Sequence, residues 1–96
     1  MEIKNVEPEA IGDFEEQLQL KNVKYLTLCT EEDIVAWLAG AAGDTDDEIN
    51  VYFGFTENFN EPVAKQMYDS FTKHQITESM IFNPASDEEE QFIETL

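Results

Sequence analysis

Apolar and polar positions alternate most clearly over Ile49-Asn50-Val51-Tyr52-Phe53-Gly54-Phe55. Ile49, Val51, Phe53 and Phe55 share one side of an extended segment, so this stretch predicts a strand with a face to bury. Val23 to Cys29 predicts a second strand, with Val23, Tyr25, Thr27 and Cys29 on one side and Lys24, Leu26 and Leu28 on the other. Met1 to Val6 predicts a short edge strand, and Ile76 to Phe82 a further strand stopped by Asn83-Pro84.

The helical period appears between these segments. Pro8 sits in the first turn of a helix over which Ala10, Ile11, Phe14 and Leu18 share a face, with Gly12 weakening it. Thr30 reads as an N-cap, with Asp33 three residues on, for a helix running to about Ala42. Ile34, Val35, Trp37, Leu38, Ala41 and Ala42 give it a wide apolar stripe, and Gly43 ends it. Asn60 caps a helix with Pro62 in its first turn and Val63, Ala64, Met67, Tyr68 and Phe71 on its buried face. Ser86 and Glu89 form a capping box for a short C-terminal helix carrying Phe92, Ile93 and Leu96. The expected fold is α+β: one small domain over residues 1–96, with helices alternating along a three- to four-stranded mixed sheet.

Composition supports a folded chain, because 42% of the 96 residues are apolar and 11% aromatic. Charge narrows the class of partner. Twenty-two Asp and Glu stand against five Lys and no Arg, a net charge of −17. Nucleic acid and anionic membrane are poor partners for such a surface. The single cysteine excludes an internal disulfide, and neither a secretory leader nor a run of about 20 apolar residues is present, so a cytoplasmic protein is expected.

About half of the acidic excess has an ordinary cause: carboxylates in the first turn of a helix meet the positive end of its dipole. Glu31, Glu32 and Asp33, together with Asp87, Glu88, Glu89 and Glu90, fall at expected helix starts. Asp13, Glu15 and Glu16 lie further along a helix, and Asp44, Asp46, Asp47 and Glu48 fill a loop, where the dipole gives no benefit. Spread over a surface of about 5,600 Å², seventeen charges amount to one per ~330 Å², about threefold more dilute than the ~110 Å² per charge of duplex DNA. Gathered on a third of the surface they match it. These four clusters are therefore the candidate partner-binding residues, acting as a phosphate surrogate toward lysines and arginines.

Catalytic and metal readings fare worse. Asp44, Asp46 and Glu48 have the spacing that opens an EF-hand loop, but Ile49 stands where Gly is needed and Phe55 where Glu is needed. Cys29 and His74 are the only thiol and imidazole, and a small buried thiol and a surface histidine near a helix end account for them. No phosphate-binding Gly-rich loop appears. No catalytic residue, metal or cofactor is expected, and the chain is not read as an enzyme.

In length, charge, lack of Arg and the segments Asp13 to Glu16, Glu31 to Asp33, Asp44 to Glu48 and Asp87 to Glu90, the chain resembles the small DNA-mimic inhibitors of phages and mobile elements. Among these it is most similar to DNA-mimicking anti-CRISPR proteins directed at type I-F surveillance complexes. The resemblance implies an inhibitor that occupies the basic groove of a DNA-binding protein or Cas complex without catalysis. The alternative is a small acidic adaptor or regulatory subunit that binds a protein through Phe92, Ile93 and Leu96.

Self-repulsion among seventeen like charges opposes the compact state and is screened by salt. The melting temperature, followed by circular dichroism, is expected to rise between ~0.01 M and ~1 M NaCl, over which the screening length contracts from about 30 Å to 3 Å.

Overall fold

A computed structural model describes residues Met1–Leu96. Five strands form one mixed sheet in the order β1-β2-β3-β4-β5: β1 Glu2–Asn5, β2 Val23–Thr30, β3 Ile34–Ala42, β4 Glu48–Phe55 and β5 Ser79–Phe82. The first four are antiparallel neighbours, and β5 joins β4 in parallel after a helical crossover. A 3-10 turn, Pro8–Ala10, leads into α1 Ile11–Leu18; α2 is Glu61–Phe71 and α3 Asp87–Glu94. The mixed α+β architecture is as expected, with one strand more. No helix is long and apolar enough to cross a membrane.

The extra strand is the segment expected to be a helix. Ile34 to Ala42 is β3, at the centre of the sheet, and Thr30 is the last residue of β2 and no helix cap. Ala36 and Leu38 join the core beneath α2 and α3, while Ala39 belongs to the core beneath α1 and half-buried Trp37 packs against the edge of that core. A strand covered on both faces is apolar almost continuously, and an apolar run of nine residues cannot be told from a helix by period alone. Gly43 closes the β3–β4 hairpin, its N–H donating to the Glu48 carbonyl at 3.1 Å, where helix termination was expected. The other deviations are small: β5 begins at Ser79, three residues after Ile76, and α1 begins only after the 3-10 turn.

The two layers over the sheet are unequal. On one face α2 and α3 bury Ile49, Val51, Phe53, Ala64, Met67, Phe71 and Phe92 in the larger core. Asn60 caps α2 as its sequence predicts, accepting from the Val63 N–H at 3.2 Å. Ser86 caps α3 through the Glu89 N–H at 3.2 Å. On the opposite face α1 sets Ile11 on Val6, Leu26, Leu28 and Ala39, and nothing covers the part of that face formed by β4 and β5.

Close approach of α2 depends on Gly40. A Cβ there would lie 2.9 Å from Ile49 Cδ1 and 3.1 Å from Phe71 Cζ, whereas a Cβ on Gly12 in α1 would meet nothing within 4 Å. Opposite effects follow. Gly40→Ala is expected to lower unfolding free energy by about 1–3 kcal/mol through overpacking, and Gly12→Ala to raise it by about 0.5–1 kcal/mol through helix propensity, both read from urea denaturation.

Candidate partner-binding surface

Strand direction fixes where the acidic clusters go. The β2–β3 turn holds Glu31, Glu32 and Asp33 at one end of the sheet, and the β3–β4 turn holds Asp44, Asp46, Asp47 and Glu48 at the other. A nine-residue strand separates the turns by about 30 Å. Asp13, Glu15 and Glu16 ride on α1 on one sheet face, while Asp87 to Glu90 open α3 on the other. The four clusters do not share one face.

Two of them nevertheless meet at the β2–β3 end, joined by residues the sequence did not single out. Glu2 pairs with Thr30 in the sheet register, beside the turn. One groove runs past Met1, Glu31, Phe55, Glu57 and Asn60; a second links Glu57 to Ser86, Glu88 and Glu89; a third sets Glu61 beside Glu88 and Phe92. Glu57 and Glu61, in and just after the β4–α2 connection, thus join the turn to α3. Their signal was only that the chain must return to this end after β4.

Nine exposed carboxylates belong to this end: Glu2, Glu31, Glu32, Asp33, Glu57, Glu61, Asp87, Glu88 and Glu90. No lysine is among them. Lys21 and Lys24 flank the start of β2 and Lys73 follows α2, all at the opposite end, while Lys4 is midway along β1 and Lys65 one turn into α2. The only cation at the acidic end is the α-amino group of Met1, near enough to lower the Cys29 thiol against its raised pKa. The whole protein averages one net charge per ~360 Å² of its 6156 Å² surface, against one per ~110 Å² for duplex DNA; nine charges gathered on a third of that surface would give one per ~230 Å², half the density of DNA.

Several expected site residues serve the fold instead. Glu89 is only 6% exposed, its Oε1 accepting from the Ala85 N–H at 3.3 Å, and burial raises its pKa. Glu15 Oε2 accepts from the Val23 N–H at 3.0 Å and fixes the α1–β2 connection. Glu48 pairs with Ser79 of β5 and accepts from the Thr45 hydroxyl at 3.2 Å. The C-terminal apolar group is mostly spent on the domain itself. Phe92 is 4% exposed and stacks edge-on to Phe53 and Phe59, Ile93 packs on the same core, and only Leu96 is free.

The chemistry-bearing singletons are apart. Cys29 is fully buried, and burial followed by the Glu31 charge raises its thiol pKa. His74 lies against Tyr25 and Phe71 with Nε2 3.3 Å from the Leu26 carbonyl, about 10 Å down the strand from Cys29. Nowhere do three side chains of His, Cys, Asp or Glu converge to hold a metal ion. The single ion pair joins Lys24 Nζ to Glu78 Oε2 at 3.0 Å, and the Tyr25 hydroxyl donates to Glu78 Oε1 at 2.8 Å. These two hydrogen bonds hold the Glu78 carboxyl at about 2. No family model, curated protein or solved structure matches this chain.

Burial lowers the His74 pKa below 6.5, outweighing its bond to the Leu26 carbonyl, so the folded state keeps the ring neutral. The unfolded state takes up a proton that the folded state resists, so the contribution of His74 is full above the ordinary histidine range and lost as pH falls below it. In urea titrations the stability difference between wild type and His74→Gln is expected to shrink from about pH 7 to pH 5. The Glu78 contribution persists over that range, being lost only as pH falls below the ordinary Glu value toward about 2.

Proposed function

We propose that the protein is a cytoplasmic inhibitor that docks its lysine-free acidic end on a basic DNA-binding surface and keeps DNA off it. The observation that carries this reading is the segregation of lysine: nine exposed carboxylates at one end of the sheet have no lysine among them, while three of five lysines share the other end with Asp44 to Glu48. A surface evolved for solubility alone gains nothing from such segregation, since interspersed charge serves solubility as well. Carboxylates fixed on a hairpin turn and two helix starts offer the anionic rows that lysines and arginines of a DNA-binding groove recognise.

A Cas surveillance complex of type I-F is one target within this reading, and any basic groove built for duplex DNA is of the same class. The contact is confined to one end and does not replicate a duplex along the whole molecule. Asp44 to Glu48 and the α1 carboxylates lie outside it. An adaptor working through Phe92, Ile93 and Leu96 is disfavoured, because the first two pack on the core of their own domain and Leu96 alone is exposed.

The test is affinity capture of the partner from host lysate, followed by displacement with duplex DNA at low salt. DNA is expected to displace the protein competitively, and rising salt to weaken the complex. Glu57→Lys combined with Glu61→Lys is expected to weaken it by more than ~100-fold, while Asp44→Lys combined with Asp46→Lys changes it by less than about tenfold. A captured partner that DNA does not displace overturns the reading.

A further inference from the structure

The sheet face that carries α1 is only half covered. Beyond α1 it presents Trp37 of β3, Tyr52 of β4 and Ile81 of β5, with Tyr52 37% and Ile81 41% exposed. Sheet register puts them together: Trp37 pairs with Gly54, Tyr52 with Ala39, and Ile81 with Asn50. The indole lies across Gly54, where a Cβ would come within 2.0 Å of the ring. Beside it a groove of about 420 Å³ runs past Leu20, Val23, Ala41 and Tyr52 to the end of α1. On the same face Asn83 Nδ2 donates to Asn50 Oδ1 at 3.3 Å, and no buried side-chain polar atom lacks a partner.

We infer that this face is a second docking surface, and that its occupant is a basic amphipathic helix of a partner protein. Shape and charge both point there. Three strands about 4.8 Å apart span the ~10 Å diameter of one helix, and α1 already covers the other half of the same face in that manner. The strip ends in carboxylates at both extremities, Asp46 to Glu48 on one turn and Glu32 and Asp33 on the other, about 30 Å apart. A helix of about 20 residues covers that span, with apolar residues on the Trp37–Tyr52–Ile81 strip and lysines or arginines at its two ends. Lys21 is the one cation beside the groove. A second copy of the chain is a poor occupant, because an isologous contact brings like carboxylates together on molecules of net charge −17. The surface shares only the β2–β3 turn carboxylates with the acidic end, and its apolar strip does not depend on that end's role.

Trp37 is the only tryptophan, so its emission reports on this face directly. The probe is a synthetic 20-residue helical peptide without tryptophan, leucines along one face and lysines elsewhere, compared with a twin carrying glutamates in place of the lysines. The basic peptide is expected to shift Trp37 emission saturably, and the acidic twin to leave it unchanged. Tyr52→Asp with Ile81→Asp should weaken binding at least tenfold, while Glu57→Lys with Glu61→Lys should leave this emission response intact even where it abolishes the DNA-competed complex. Amide and indole shifts in the unmodified protein, mapped by NMR, give the same answer without a variant: movement centred on Trp37, Asn50, Tyr52 and Ile81 is the expected pattern. Binding that survives both Asp substitutions, shifts centred elsewhere, or concentration-dependent self-association through this face overturns the inference.

Discussion

The burial of β3 on both faces is the constraint from which the rest of the structure follows. A central strand must be narrow where layers approach it from both sides, and Ala36, Ala39 and Gly40 make it so. Gly40 admits Phe71 and with it the C-terminal half of α2, while Ala39 leaves room for the α1 layer. Once β3 is fixed between β2 and β4, its two flanking turns are carried to opposite ends of the sheet. The separation of the Glu31–Asp33 and Asp44–Glu48 clusters is thus set by core packing rather than by electrostatics.

That same strand explains what was legible in the sequence and what was not. Period-2 alternation identified β4 because one of its faces is buried and the other, with Asn50 and Tyr52, is polar or open. The caps of α2 and α3 were legible because Asn60 and Ser86 bond backbone N–H groups three residues on, a purely local interaction. β3 has no such local mark: its four alanines favour a helix intrinsically, and only contacts from α1, α2 and the neighbouring strands decide for extension. Reading it as a helix removed one strand from the sheet and placed Trp37 in a helical core stripe, whereas it borders the open face. Glu2, Glu57 and Glu61 were invisible as site residues for a related reason, since each is isolated in sequence and joins its neighbours only through topology.

Electrostatics then acts on a frame that apolar contact has already fixed. One ion pair, Lys24 with Glu78, is the only direct compensation among 22 acidic side chains, and it ties the segment after α2 to β2. Helix starts absorb others through the dipole, as with Glu61 and Asp87 to Glu90. The remaining repulsion must be met by the two cores, which is consistent with the close-packed aromatic set of Tyr25, Phe53, Phe59, Phe71 and Phe92. Core packing and the placement of surface charge are therefore nearly decoupled in this protein, although the summed repulsion still opposes the compact state. Exposed carboxylates can be reversed at either end without touching a buried contact, with Glu15, Glu48, Glu78 and Glu89 the exceptions because each holds a backbone or side-chain donor.

Decoupling also separates the two surfaces that stand out. The acidic end is polar and lysine-free; the half-covered face is aromatic and lies along the strands between two acidic turns. A partner gripping only the end would leave Tyr52 and Ile81 in water, and apolar groups left in water contribute nothing to affinity. A partner using both would gain attraction at long range from the carboxylates and area at short range from the strip, the division of labour by which charge sets encounter rate and buried anchors set lifetime. Glu31–Asp33 borders both surfaces, so a single cationic segment running from the open face over the β2–β3 turn reaches the acidic end without a break in complementarity.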